Sequence, residues 1–395
     1  MKNFKKLSAL VLAGAMVFSL AACGGGSSET PAPETTTPAE TAPAETASAT
    51  DMKVAMITDY GDITDQSFNQ TTYEACNEFC TANSVEFTYY KPAGDSTAER
   101  VAMVDAAVAE GYNVVVMPGY AFAETIKETA EMYPDVTFIA LDVGEGDLGA
   151  DYTVPSNVYC AVYQEELCGY MAGYAAVKLG YTHLGFLGGM AVPAVQRYGY
   201  GFVQGADAAA AELGNGADVT VEYVYGNQFF GDADITAYMD NWYQTQGVEV
   251  VFACGGGIYT SAAEAAAKVG GKVIGVDVDQ AAIIDAYGEG MTVTSAMKGL
   301  ANTTKHLLQE VMDGNFANYG GQIETLGLVS GDDPTANYVQ LPMESTQWSD
   351  TFTQDDYKAL VAGMYDGTIT VSNDVSVAAA DYATVITVNE YGNIK

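Results

Sequence analysis

Histidine is almost absent: His183 and His306 are the two present in 395 residues. A His-based triad or a histidine metal site has next to no raw material, and the six cysteines lack the paired spacing of a metal centre. Basic side chains are scarce as well, 15 Lys and Arg against 51 Asp and Glu, for a formal charge of −36. That balance excludes a basic groove for nucleic acid and electrostatic docking on anionic lipid, and it favours solubility. The apolar stretch from Leu7 to Leu20 is too short to span a bilayer of roughly 30 Å. No nucleophile elbow, phosphate loop or zinc motif occurs, so acid/base work would rest on carboxylates alone; no enzymatic activity, no metal and no cofactor are expected.

The first residues carry Lys2, Lys5 and Lys6, then the apolar stretch, then Leu20-Ala21-Ala22-Cys23. This reads as a secretion signal over 1–23, and Cys after Ala-Ala looks like a bacterial lipobox whose Cys23 receives lipid. Acyl chains on that one residue would hold the protein at the membrane surface. Residues 24–51 are nearly all Gly, Ser, Thr, Pro, Ala and Glu, a flexible spacer with nothing large to bury. The folded part starts near Met52 and is longer than one core usually holds, so two lobes are expected. Of the remaining cysteines, Cys76 and Cys80 sit one helical turn apart, where buried small apolar residues are favoured over a disulfide.

Strand and helix patterns alternate for most of the chain. Strands are expected at 53–58, 85–90, 114–117, 137–141 and 158–163, with helices at 67–83, 98–110 and 122–132 between them, Ser67 and Gln70 forming a capping box on the first. After a helix at 165–179 the pattern restarts, with strands at 183–187, 219–225, 250–253 and 272–276 and helices at 195–213, 235–246 and 259–269. The fold class is α/β: two Rossmann-like doubly wound lobes, the first from 52–160 plus part of 297–395, the second from 161–296. Two such lobes, secreted and tethered, suggest a clamshell binding protein of the type I periplasmic-binding-protein kind, with its cleft at the carboxyl ends of the strands.

Those ends collect polar and glycine residues. "TDYGDITDQSFNQ" follows the first strand, Pro118-Gly119-Tyr120 the third and Asp142 the fourth; the second half has Gly188-Gly189, Asn227-Gln228-Phe229-Phe230, Gly255-Gly256-Gly257 and Asp277-Val278-Asp279-Gln280. Each is weak alone, since an Asp after a strand is more often a cap or turn residue and a Gly triplet a loop. Repetition along one edge is the stronger signal. Asp62, Asp65 and Asp279 are assigned to caps or turns, and Tyr198 and Tyr200 near Arg197 to lobe surface and core.

"TDYGDITDQSFNQ", "YPDVTFIALD", "LGFLGGMAVPAVQRYGYGFVQG", "VIGVDVDQ" and "TSAMK", in this order from about Lys53 to Gly314, resemble the basic membrane protein family, substrate-binding lipoproteins of ABC importers of the purine nucleoside receptor A type. The resemblance implies two lobes joined by a hinge, with a nucleoside between them, and an ABC permease with its ATPase as partner. It implies that Phe68 stacks on one face of the base and an aromatic of the Phe229-Phe230 pair on the other, Phe229 preferred. Asp59, Ser67, Asn69 and Asp142 match further family positions, Asp277 and Lys298 match the ribose-binding pair, and Gly255 to Gly257 the loop whose backbone nears the ligand. Tyr120 stands where small or Phe residues are common, and the stretch after Ile323 matches only loosely.

The chemistry of a nucleoside suits these residue types. Aromatic faces sandwich a flat base, carboxylates accept from a ribose diol, and Lys298 beside Asp277 would keep that carboxylate ionised. Plainer roles stay open: Phe68 as a core residue, Lys298 in a surface ion pair, either Phe of the pair as hinge packing. A surface sensor for a sugar or signalling molecule on the same fold is the alternative to import; a monomer is expected in both. In cells fed an alkyne fatty acid, the protein should take up label and sediment with membranes, and Cys23→Ala should lose both. Label retained by the variant would refute lipidation at Cys23.

Overall fold

The computed structural model describes residues 51–395; the leader over 1–23 with Cys23, and all but the last residue of the expected spacer, lie outside the described residues. The first half builds β1 (Lys53–Ile57), α1 (Phe68–Asn83), β2 (Glu86–Tyr90), α2 (Thr97–Ala109), β3 (Val114–Pro118), α3 (Ala123–Thr129), β4 (Thr137–Leu141), α4 (Glu145–Leu148) and β5 (Val158–Tyr163). The second contains α5 (Glu165–Lys178), β6 (His183–Gly188), α6 (Pro193–Leu213), β7 (Thr220–Tyr225), α7 (Ala233–Asn241), β8 (Val250–Cys254), α8 (Tyr259–Ala267), β9 (Lys272–Asp277), α9 (Ala281–Ile284) and β10 (Thr292–Lys298). The chain ends with α10 (Leu300–Met312), β11 (Gln322–Leu326), β12 (Val339–Gln340), α11 (Gln354–Tyr365) and β13 (Thr387–Asn393).

The strands form two sheets, ordered β11-β5-β4-β3-β1-β2 and β12-β10-β9-β8-β6-β7-β13. Every pairing is parallel except that of β12 with β10. Strands β3, β4 and β8 are buried at every position, which is why they read as unbroken apolar runs: helices cover both faces of a parallel sheet. Chain order reverses between β1 and β3 in one sheet and between β6 and β8 in the other. A crevice opens at such reversals, so the loops after these four strands face a common space.

Two boundaries differ from the sequence expectation. The division at 160/161 falls inside β5, which stays in the first sheet to Tyr163. The terminal segment serves both lobes: β11 extends the first sheet, whereas β10 runs to Lys298 in the second, where β12 and β13 form the two edges. Edge strands added late by a long-range return carry little local signal. The helix expected over 235–246 is divided, with α7 followed by a π-helical turn at Trp242–Gln246. Cys76, Cys80, Cys160, Cys168 and Cys254 are free, buried thiols. None of the described helices is long and apolar enough to cross a membrane.

Helices α5 and α6 pack backbone to backbone through glycines spaced four apart on each. A Cβ at Gly169 or Gly173 would lie 2.0 or 2.1 Å from the carbonyl oxygen of Tyr198 or Phe202, and one at Gly201 or Gly205 would lie 2.0 Å from that of Glu166 or Tyr170. This close approach sets the start of α5, with Glu165, against the start of α6, with Arg197. Backbone cannot yield as a side chain can. Gly173→Ala should therefore lower stability by about 1–3 kcal/mol in denaturant unfolding, whereas Gly146→Ala, with open space around its Cβ, should change it little. Equal stability of the two variants would contradict the packing described.

Candidate functional site

The loops at the two crevices enclose a cavity of about 670 Å³. Of the sequence-derived candidates, Asp59, Phe68, Asn69, Asp142, Phe229, Gly255, Gly256, Asp277 and Lys298 line it. Ser67 is buried behind the lining and reaches across the cleft, its hydroxyl donating to Asp277 Oδ2 at 2.6 Å. The expected capping box at Ser67 and Gln70 is not formed. Asp65 caps α1 instead, its carboxylate accepting the N–H groups of Ser67, Asn69 and Gln70 at 2.9, 2.9 and 3.0 Å. A carboxylate satisfies several orphan donors of the first turn at once, which frees the serine for the other lobe. A second bridge runs from the Gln280 side-chain amide to the Gln66 carbonyl at 3.0 Å.

Asp59 is buried with Oδ1 accepting the N–H groups of Tyr60 and Gly61 at 2.6 and 2.7 Å. Burial raises its carboxyl pKa, and those two N–H groups oppose the rise. The Asn69 amide nitrogen lies 3.3 Å from Asp65 Oδ2 and 3.5 Å from Asp59 Oδ1. Its Oδ1 is buried without a hydrogen-bond partner in the protein, and so is Oδ1 of Asp142. Two orphaned acceptors in the wall of one cavity suit a ligand that brings donors.

Lys298, at the end of β10, is paired differently from the expectation. Its Nζ lies 2.6 Å from Asp142 Oδ2, 3.4 Å from Glu165 Oε1 and 3.9 Å from Asp277 Oδ1. Asp142 of the first lobe is thus its nearest partner, and Asp277 is the farthest. With a side chain 3 % exposed, this is no surface ion pair. Burial works to lower the ammonium pKa, yet the three carboxylates, Asp142 foremost, hold it above its ordinary value. Burial raises Asp142 and Asp277 against the pull of Lys298. Both aspartates adopt left-handed backbone, φ +58° and +67°, a conformation Asp tolerates better than most residues. Glu165 is fully buried and also accepts from Arg197 Nε at 2.7 Å.

Aromatic rings complete the walls. Lys298 Nζ lies 4.9 Å from the Phe68 ring centroid and 5.7 Å from that of Tyr198. Phe229 and Phe230 both line the cavity, but Phe230 is 55 % exposed. Phe229 lies over two glycines: a Cβ at Gly189 would fall 2.4 Å from its ring and one at Gly255, φ +146°, 2.9 Å. Only glycine leaves room for the ring there. Tyr60 and Tyr120 from the first lobe direct their hydroxyls to Met190 Sδ of the second, at 3.4 and 3.7 Å.

Sequence reasoning missed several of these. Tyr198, assigned to lobe surface and core, is buried in the core but also lines the cavity, as does Arg197, which was given no role, and Glu165 stands directly behind it. An acid in the first turn of a helix normally favours the helix dipole, so Glu165 carried no distinctive signal. Asp279 does act as a turn residue, accepting the Ala281 N–H at 3.1 Å.

The family profile described as "ABC transporter substrate-binding protein PnrA-like" matches residues 52–333. The chain belongs to this family. Relatives include "ABC transporter nucleoside-binding protein BmpA" of Lactococcus lactis subsp. cremoris, 27 % identical over 71 % of this chain and 80 % of that protein. "Basic membrane protein B" of Borreliella afzelii is 25 % identical over 71 % and 79 %. Among solved structures, an ABC transporter solute-binding protein of Aeropyrum pernix K1 superposes with a TM-score of 0.62 at 21 % identity, covering 81 % of this chain and 87 % of that one. One from Conexibacter woesei gives 0.62 at 22 %, covering 82 % and 99 %. The fold is the type I clamshell of solute-binding proteins.

Removing the ammonium would leave its carboxylates without their nearest cation. Lys298→Met is expected to cost about 3–5 kcal/mol of stability near pH 8. The loss should shrink as pH falls towards 5: without Lys298 the folded-state carboxyl pKa values rise further above their unfolded values, so the folded variant binds protons more readily and gains stability on acidification. A pH-independent loss in thermal unfolding would contradict this account.

Proposed function

We propose that this substrate-binding protein captures a nucleoside, of the purine type, between its lobes outside the cytoplasm and delivers it to an ABC permease and its ATPase. In this reading it acts as a monomer held to the membrane by lipid on Cys23. The observation that carries the ligand class is the combination, in one cavity of about 670 Å³, of Phe68 and Phe229 with the orphaned acceptors Asn69 Oδ1 and Asp142 Oδ1. Flat rings suit a base, and acceptors suit its N–H groups and the sugar hydroxyls. The lining holds seven carboxylates against three cations, Lys91, Arg197 and Lys298, which disfavours a phosphorylated ligand. The volume lies in the usual range for small-molecule sites. The name of the Lactococcus relative, a nucleoside-binding protein, points the same way.

In the roles proposed, Phe68 and Phe229 stack on the base while Asp59 and Asn69 meet its edge. Asp277, Asp142 and Lys298 meet the ribose, Ser67 holds Asp277, and the Gly255-Gly256 backbone lies against the ligand. Each stacking contact contributes about 1 to 3 kcal/mol if nucleic-acid values transfer.

The test is a thermal-melt panel on residues 51–395, unfolded and refolded to strip carried ligand, against purine and pyrimidine nucleosides, ribose and galactose. A ligand at about a hundred times its dissociation constant should stabilise the fold by about 2.7 kcal/mol. Stabilisation by purine nucleosides supports the proposal; silence from all nucleosides with a response to a sugar would end it. Phe68→Ala should weaken binding of the responding nucleoside more than about tenfold. Unchanged affinity would remove Phe68 from the site.

A further inference from the structure

The family match ends at residue 333, yet one residue well beyond it lines the cavity: Val375. It belongs to the irregular stretch between α11 and β13, which crosses the outer surface of α6 and is fastened to three of that helix's turns. The Tyr200 hydroxyl donates to the Val377 carbonyl at 3.0 Å. Gln204 and Ser372 bond in both directions, the Ser372 N–H to Gln204 Oε1 and the Gln204 amide nitrogen to the Ser372 carbonyl, each at 2.9 Å. Asp207, buried in α6, accepts the N–H groups of Thr384, Val385 and Ile386 at 2.8, 2.8 and 3.2 Å and the Thr384 hydroxyl at 2.6 Å. The strap is also braced within itself: the Tyr382 hydroxyl donates to the Asp374 carbonyl at 2.7 Å and lies 2.8 Å from Ser372 Oγ.

Val375 sits between the Ser372 and Val377 attachments. It lines the cavity together with Val192, Pro193, Ala194 and Val195 at the start of α6. Its neighbours Asp374, Ser376 and Val377 are exposed, while Val375 is half-buried. An apolar residue turned towards the cavity on a strap fastened to α6 makes a wall whose position is set by α6 rather than by the ligand.

We propose that Val375 is a specificity-determining residue of the ligand site, supplied by a C-terminal strap from outside the family match. It adds an apolar wall beside the first turn of α6 and limits the size of the substituent a ligand can carry on that side. This rests on the reading that the cavity holds the ligand, and the experiment separates the two.

Calorimetric titrations of wild type, Val375→Ala, Val375→Trp and the exposed neighbour Ser376→Ala would use adenosine, 5′-deoxy-5′-methylthioadenosine and N6-benzyladenosine. Val375→Trp should weaken adenosine at least tenfold. Val375→Ala should alter adenosine less than threefold but improve at least one bulkier compound relative to adenosine by fivefold or more, and Ser376→Ala should do neither. A merely structural strap would scale all three affinities together with a fall in melting temperature, and that result, or wild-type affinities in both Val375 variants, overturns the proposal. If wild type binds no nucleoside, the nucleoside reading fails by itself. The same variants are then titrated with the compound that stabilises wild type, where failure of Val375→Trp to weaken binding tenfold overturns the role of Val375.

Discussion

One buried ammonium organises the centre of this molecule. Lys298 ends a strand of the second sheet, yet its nearest partner, Asp142, ends a strand of the first. Glu165, at the start of α5, and Asp277, at the end of β9, complete the carboxylate ring, and Arg197 shares Glu165. Three acids and two bases so enclosed leave one negative charge uncompensated among them. Desolvation is repaid only if geometry is good and spare lone pairs find donors. Asp142 Oδ1 has none within the protein. The cluster thus ties the lobes together and leaves Asp142 Oδ1 as a buried acceptor without a partner in the protein.

Holding five charged groups at these positions requires a stiff frame, and the glycines of α5 and α6 provide it. Because the two backbones touch at Gly169, Gly173, Gly201 and Gly205, the helix starts that carry Glu165 and Arg197 have little freedom to shift. The left-handed backbone at Asp142 and Asp277 is part of the same arrangement. Strain tolerated at a binding cleft is a common feature of proteins, because the surrounding packing over-determines it. Ser67 and Gln66 then meet Asp277 and Gln280 across the gap, so the polar loop after β1 serves as an inter-lobe contact as well as a wall.

Much of this was legible in the amino-acid order. Parallel strands covered on both faces appear as short unbroken apolar runs, and Asp and Gly gather where each run ends, so the positions of β1, β3, β4, β8 and β9 and the loops after them could be read directly. Phe229 stood out from the Phe229-Phe230 pair only through the family resemblance, whereas Phe68 was conspicuous because an aromatic ring among polar neighbours has few local explanations. Glu165, Arg197 and Tyr198 were not, since an acid at a helix start and a Tyr-rich helix face are ordinary features. The same limit applies to capping: Ser67 fits a local rule, but Asp65 outcompetes it for the first-turn N–H groups while Asp277 takes the serine hydroxyl.

What the sequence by itself determined is the family, the repeated βαβ plan and the composition of the cleft, because these depend on periodicity and on residue order within a few turns. Tertiary structure alone decided which charges pair. Lys298 and Asp142 are 156 positions apart, and Ser67 and Asp277 are 210 apart. It also decided that the chain's last stretch returns to add one edge strand to the first sheet and both edge strands to the second, and to bring Val375 to the cavity. Pairings at such separations depend on how the helices pack between them, and no local pattern along the chain encodes that distance.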